Sequence, residues 1–169
     1  MSSPVSAWLR KAAASVLFTG YCPVASGTAG SAVAIVLVWV VNRYAPVVFA
    51  PESAMLYWLF LVALTAGSLV VCSKALQDFK GEDPRQIVLD EFVGQLIVFF
   101  MVPITLRTLG LGFLLFRFFD IVKPFPVHNM EEIEGGVGVV MDDVMAGVCA
   151  NVCLLLVLVG YHSVHGALV

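Results

Sequence analysis

Long uncharged apolar stretches alternate along this chain with short polar connections. Residues 55–72 carry no charge, and residues 144–161 are equally clean. Crossing the hydrocarbon core of a bilayer takes about 20 apolar residues in a helix, so each stretch predicts a membrane span. Residues 31–41 begin a third span, which Asn42 and Arg43 interrupt and which ends near Pro46. Residues 92–106 form a fourth apolar run; Arg107 follows it, then residues 109–119, apolar apart from Arg117. A single helix over 92–119 would be about 40 Å long at 1.5 Å per residue and would set Asp90 and Asp120 on opposite sides of the membrane. A turn near Arg107-Thr108-Leu109-Gly110 returns both acids to one face. Gly110 and Gly112 permit that turn, and Arg107 would be costly in mid-bilayer. The expectation is an all-α, polytopic membrane protein of about four to five embedded helices, including a helical hairpin around residues 92–119. Residues 1–169 are expected to form a single membrane-embedded domain.

Composition strengthens this reading. The chain is 60% hydrophobic and 12% charged, and its mean hydropathy is +0.98. Soluble domains carry roughly 25% charged residues, and a small soluble fold could not hide the excess apolar surface. The net charge is −3 with no basic run, which argues against a nucleic-acid partner. Cys22, Cys72, Cys149 and Cys153 form no CxxC pair and read as small hydrophobes. Arg10 and Lys11 precede only a short apolar run, residues 12–18, so no cleavable signal is expected. With the N-terminus inside, Arg10, Lys11, Lys74, Lys80, Arg85, Arg117 and Lys123 are cytoplasmic. Only Arg43 and Arg107 lie outside, as the positive-inside preference requires.

Three acidic groups stand where polar sequence meets apolar. In the first, Asp83-Pro84 reads as a helix N-cap and first helical residue, with Gln86 as capping partner. Asp90 and Glu91 then fall about two turns into a helix. In the second, Arg117, Asp120 and Lys123 recur every three residues and share a helix face until Pro124 and Pro126 stop it. The third is Asp142-Asp143, shortly after Gly135-Gly136-Val137-Gly138; as helix caps, these acids would be structural only. Gly94 follows Asp90 by one turn and Gly147 follows Asp143, with Asn151 continuing the second face. Small residues at that spacing let helices approach closely in lipid, which would bring the carboxylates together. Carboxylates gathered near a bilayer repel unless a cation joins them, and hard oxygen ligands suit Mg²⁺. Such a site could bind a phosphate, with Arg117 and Lys123 holding its oxygens. Ahead of the first apolar run, Gly27-Thr28-Ala29-Gly30-Ser31 offers backbone N–H groups of a helix start to an anion; a plain turn into the membrane is the alternative.

Together these elements resemble the phosphatidylglycerophosphatase A family. The resemblance runs over about residues 16–160 and rests on Gly27-Thr28-Ala29-Gly30-Ser31, Ile87-Val88-Leu89-Asp90-Glu91-Phe92-Val93-Gly94, Phe116-Arg117-Phe118-Phe119-Asp120-Ile121-Val122-Lys123-Pro124-Phe125-Pro126 and Gly135-Gly136-Val137-Gly138-Val139-Val140-Met141-Asp142-Asp143-Val144-Met145-Ala146-Gly147. It implies a Mg²⁺-dependent enzyme of the bacterial inner membrane, multi-pass, with its active site on the cytoplasmic face. Such an enzyme removes the terminal phosphate of phosphatidylglycerophosphate. The family's acidic positions fall on Asp78, Asp83, Asp90, Glu91, Asp120, Asp142 and Asp143, and its basic positions on Arg117 and Lys123. Catalysis and Mg²⁺ binding are expected of Asp90, Glu91, Asp120, Asp142 and Asp143. Phosphate binding is expected of Arg117, Lys123, Gly27, Thr28, Gly30 and Ser31, and Asp78 and Asp83 are secondary candidates. The attacking group would be water or a carboxylate, through an aspartyl-phosphate. Ser26, Ala29 and His128-Asn129 depart from the family pattern, at positions that shape the approach to the site and its grip on the headgroup. The competing class is a small ion-binding or transporter-like membrane protein, which would carry its acids at mid-span or on opposite faces.

Overall fold

The computed structural model describes residues 4–76, 79, 84–131, 133 and 135–166. Seven α-helices and no strand occur among them: α1 Pro4–Ala14, α2 Ser26–Tyr44, α3 Ala54–Ala75, α4 Leu89–Ile97, α5 Leu106–Val122, α6 Val127–Glu131 and α7 Gly136–Gly166. Three segments, Ser26–Tyr44, Pro51–Ala75 and Gly136–Ser163, are long and apolar enough to cross a membrane. Large apolar side chains such as Leu56, Phe60 and Leu156 point outward along them. In water that would be an aggregating surface, whereas in lipid it is the ordinary exterior of a span.

α2 begins at Ser26 and runs through Asn42 and Arg43 unbroken, so the expected interruption does not occur. Polar side chains in the last turn reach past the lipid and leave the helical backbone bonds intact. α3 runs back from short 3₁₀ turns at Pro46–Phe49 and Pro51–Ser53. Arg43 and Arg107 stand at the far ends of α2 and α5, away from Lys74, Arg117 and Lys123; Lys80 lies outside the described residues.

α4 sits at the centre, packed against α2, α3 and α7. It spans nine residues, about 13 Å, which is too short to cross. Its start differs from the capping expectation. The Ile87 N–H donates to the Pro84 carbonyl at 2.9 Å, and the Val88 N–H donates to the Ala14 carbonyl at 2.9 Å. The N-terminal segment thus pins residues 84–88 outside the helix. Val88 is the N-cap, without a side-chain cap, and Asp90 and Glu91 stand in the first turn. Asp83 lies outside the described residues.

The hairpin exists, and it turns at residues 98–105 rather than at Arg107–Gly110. Met101 adopts a left-handed backbone (φ 56°), and Pro103 has no N–H to continue a helix. Thr105 and Thr108 then start α5 with a capping box: the Thr105 hydroxyl accepts from the Thr108 N–H, and the Thr108 hydroxyl accepts from the Thr105 N–H. Gly110 is exposed within α5. α5 returns over 17 residues, about 25 Å, so Asp120 comes back to the end of the bundle from which α4 sets out.

A helix ending inside the membrane leaves carbonyls without water. Asn151 of α7 meets this need. Its side-chain amide donates to the Val98 carbonyl at 2.7 Å and to the Phe100 carbonyl at 2.8 Å. Tyr57 of α3 donates to the Leu96 carbonyl at 2.9 Å. The approach of α7 that allows this depends on Gly94 and Gly147: a Cβ on Gly147 would strike the Gly94 carbonyl, and one on Gly94 would lie 2.5 Å from the Asp143 carbonyl. Small residues at the one-turn spacing do bring the two helices together, as the sequence predicts.

Replacing Asn151 by Leu orphans two buried carbonyls, and the expected loss of stability is about 1–2 kcal/mol. Thermal unfolding in detergent measures it; an unchanged melting temperature would show that α4 ends without help from α7.

Candidate active site

α2, α4, α5 and α7 meet where Asp90 and Glu91 begin α4. Asp90, Glu91 and Asp143 each present a carboxylate oxygen within 4.8 Å of the others. Asp90 and Asp143 are almost fully buried, at 4% and 5% exposure. Glu91 Oε2 and Asp143 Oδ1 are buried with no hydrogen-bond partner. The Asp90 carboxylate accepts the Glu91 N–H at 3.0 Å, and the Asp142 carboxylate accepts the Asp143 N–H at 2.8 Å. First-turn carboxylates also gain from the positive end of the α4 dipole. The alternative reading, that Asp142 and Asp143 merely cap the last span, does not hold: α7 starts at Gly136, and both acids stand inside it.

Two of the expected ligands are turned toward cations. Lys123 Nζ donates to Asp142 Oδ2 at 2.8 Å, and Arg117 contacts Asp120 Oδ2 at 2.5 Å. Lys123 ends α5 in a left-handed conformation, which swings its side chain back toward α7. Asp120 adds to the negative field at Glu91 and Asp143, so all five acids belong to one electrostatic cluster at one end of the bundle. Three each bring a carboxylate oxygen within 4.8 Å of the others, and two form a cation-bound rim.

The glycine segment joins the same place. Ser26 is the first residue of α2, and the N–H groups of a first turn have no intrahelical acceptor. A Cβ on Gly27 would strike Glu91 Oε1 and come within 3.4 Å of Arg117 Nη1. Gly27 therefore forms the wall across from the carboxylates, with Thr28 beside it. Gly30 and Ser31 face inward: Gly30 packs on Val88, and the buried Ser31 hydroxyl donates to the Gly27 carbonyl at 3.0 Å. Asp78 and Asp83 lie outside the described residues.

One polar group was hidden in the sequence by its apolar surroundings. Gln95 follows Glu91 by one helical turn, is fully buried, and has neither amide atom paired. Its spacing from Glu91 was the available signal, since residues four apart share a helix face.

The donor set is all oxygen, negatively charged, and short of hydrogen bonds. Mg²⁺ binds oxygen at about 2.0–2.1 Å, so two of its ligands stand about 3–4 Å apart, which suits carboxylates spaced as these are. With that cation in place, the unpaired oxygens of Glu91 and Asp143 would acquire a partner. The rim cations and the α2 start offer positive groups to an incoming anion.

The family profile described as phosphatidylglycerophosphatase A matches residues 12–158. A protein of Bacteroides thetaiotaomicron named "Putative phosphatidylinositol-3-phosphatase" is 41% identical over 134 residues, covering 77% of this chain and 81% of its own. The phosphatidylglycerophosphatase A of Escherichia coli is 30% identical over 152 residues, 89% of this chain and 83% of its own. That of Haemophilus influenzae is 43% identical over 82 residues, 47% of this chain and 50% of its own. No solved structure matches the chain. With most of its length matched and its acidic motifs gathered at one end of a membrane bundle, the chain belongs to the phosphatidylglycerophosphatase A family and is a lipid phosphatase.

Proposed function

We propose that the protein hydrolyses the terminal phosphomonoester of phosphatidylglycerophosphate, giving phosphatidylglycerol and inorganic phosphate, with Mg²⁺ held by Asp90, Glu91 and Asp143. The observation that carries this reading is the close group of three carboxylates at the end of a membrane bundle, two of them with buried, unpaired oxygens. The working location is the bacterial inner membrane with the site on the cytoplasmic face, supported by the gathering of Lys74, Arg117 and Lys123 at the site end and of Arg43 and Arg107 at the other.

In this reading a phosphate at the lipid surface meets the cluster from its rim. A cation held by Asp90, Glu91 and Asp143 would supply charge neutralisation at the phosphoryl oxygens and would ease ionisation of a nearby water. Arg117 and Lys123 hold further oxygens, while Asp120 and Asp142 fix the directions of those two cations. The N–H groups opening α2, at Gly27 and Thr28, face the developing negative charge. Overall the bond between phosphorus and the lipid oxygen breaks, a new bond to a water oxygen forms, and the leaving lipid oxygen takes a proton. The acyl chains stay in the bilayer, so the protein needs to enclose only the headgroup.

Acids at one end of the bundle count against the transporter reading, which needs them at mid-span or on opposite faces. A second lipid phosphate merits a place beside the first because of the Bacteroides relative's name: phosphatidylinositol 3-phosphate is also a phosphomonoester on a headgroup.

Phosphate release from phosphatidylglycerophosphate by the detergent-purified protein, with Mg²⁺ and with chelator, is the direct test. Release is expected only with the metal, and phosphatidylinositol 3-phosphate in parallel assays the range of headgroups. Asp143→Asn should lower kcat by about 10²-fold or more. A well-folded wild type inactive on every lipid phosphate tried would overturn the proposal and leave ion binding as the leading function.

Gly27→Ala sets a methyl group against Glu91 and Arg117, and should lower kcat/KM by about 10–100-fold with little change in melting temperature. Gly67→Ala, where an added Cβ meets open space, is the control expected to retain full activity. Equal activity of the two variants would remove Gly27 from the site.

A further inference from the structure

We infer that α1 and the turn after it lie in the headgroup layer of the membrane, anchored by Trp8, Phe18 and Tyr21, and that this anchor sets the depth of the catalytic carboxylates. The consequence for depth rests on the lipid-phosphatase reading, whereas the membrane contact does not.

α1 has 11 residues, about 17 Å, and cannot span. One side of its end is buried: Ala14 packs in a cluster with Cys72 and Ala75 at the end of α3. Its other side displays Val5, Trp8 and Leu9, with Trp8 57% exposed. Beyond α1 the chain passes through three successive left-handed residues, Val16, Leu17 and Phe18 (φ 45°, 53° and 68°). This turn bonds to itself: the Leu17 N–H donates to the Ala12 carbonyl at 2.8 Å, and the Gly20 N–H to the Ser15 carbonyl at 3.0 Å. The Phe18 N–H donates to the Ser15 hydroxyl at 3.1 Å. With its N–H groups answered locally, the turn can present Leu17, 82% exposed, to a poorly hydrated layer at low cost.

The exposed rings form one continuous patch. Trp8 and Phe18 have centroids 5.7 Å apart, and Phe18 and Tyr21 5.9 Å apart. Trp and Tyr favour the boundary between lipid and water, and a short helix with one apolar side lies in that plane. The patch also stands at the right height. The first spanning helix starts at Ser26, five residues past Tyr21, and the intervening Val24 is 76% exposed, so the patch runs into the lipid-facing surface of α2. That continuity favours lipid over a protein partner.

The link to the site is direct. The Ala14 carbonyl accepts the Val88 N–H, two residues before Asp90, and Gly20 packs so closely on the Gln86 carbonyl that a Cβ there would strike it. The depth of α1 in the membrane is thereby passed to the start of α4.

The test uses full-length protein with Trp39→Phe and Trp58→Phe, leaving Trp8 as the sole indole, in vesicles of phosphatidylglycerol and phosphatidylcholine. Trp8 emission should be quenched by lipids brominated near the ester end of the acyl chain and shielded from aqueous iodide. Quenching by iodide but not by brominated lipid would overturn the inference, as would shielding from both, which would mean that protein covers the patch. In the second arm, Trp8→Ser with Phe18→Ser should raise KM for phosphatidylglycerophosphate in vesicles by about fivefold or more. Its kcat on a short-chain analogue dispersed in detergent should stay unchanged. Equal losses on both substrates would overturn the depth-setting role. A wild type that hydrolyses neither would defeat the phosphatase reading, while the quenching would still locate α1.

Discussion

The carbonyls at the end of α4 lie where water does not reach, and the bundle is arranged around answering them. A chain that crossed here would have passed α4 through the membrane and separated Asp90 from Asp120 by the bilayer. By stopping after nine residues and turning, the chain brings both acids to one end. The turn is affordable in lipid only because Asn151 and Tyr57 donate to the freed carbonyls. Those donors reach them only because Gly94 and Gly147 let α7 close on α4. The same close approach carries Asp143 to Asp90 and Glu91. Packing and site are thus one device: the small residues that let the half-helix end in the membrane also assemble the carboxylates.

That assembly is held in tension. Asp90, Glu91 and Asp143 repel one another in a region of low polarity, and burial raises the cost. Asp120 and Asp142 are relieved by Arg117 and Lys123; Asp90 accepts the Glu91 N–H and stands with Glu91 at the positive end of the α4 dipole, while one oxygen each of Glu91 and Asp143 is left without a hydrogen bond. In the proposed function a cation bound there would remove repulsion that the fold has already imposed, and would give the unpaired buried oxygens a partner. The rim cations, in turn, keep the mouth from being uniformly negative, without which a phosphate would be turned away.

Much of this was legible in the chain because membranes impose coarse rules. Uncharged stretches of span length gave α3 and α7, and the cost of Arg107 in mid-bilayer gave the hairpin. One-turn spacing of Asp90 with Gly94 and of Asp143 with Gly147 gave the convergence of α4 and α7. What stayed hidden depended on contacts between distant segments. Asp83-Pro84 has the local form of a helix start, yet Ala14 takes the Val88 N–H and delays the helix to Leu89. The turn falls at Met101 and Pro103 rather than at the glycines because Asn151, some fifty residues later, makes it stable there. Of the cation-bound rim, the Arg117–Asp120 pair follows from their i,i+3 spacing on α5, whereas the Lys123–Asp142 pair joins α5 to α7, which no spacing encodes. Gln95 was masked because its neighbours are apolar.

The choice of substrate follows from where such a site can stand. A carboxylate cluster that recruits a phosphate needs water for its chemistry, yet its helices need lipid for their stability. Only the boundary between the two meets both needs, and a phosphomonoester on a lipid headgroup is held at that same boundary by its own acyl chains. The bilayer thereby confines enzyme and substrate to one plane, which removes much of the orientational search that a soluble phosphatase must make. Depth becomes the remaining coordinate: a site displaced along the membrane normal by a few ångströms would meet glycerol or solvent in place of the phosphate. For a fold whose carboxylate-bearing helix α4 ends without crossing, that coordinate is not set by a full span of α4, so it must come from the elements packed on its first turn, α2 on one side and the N-terminal segment on the other.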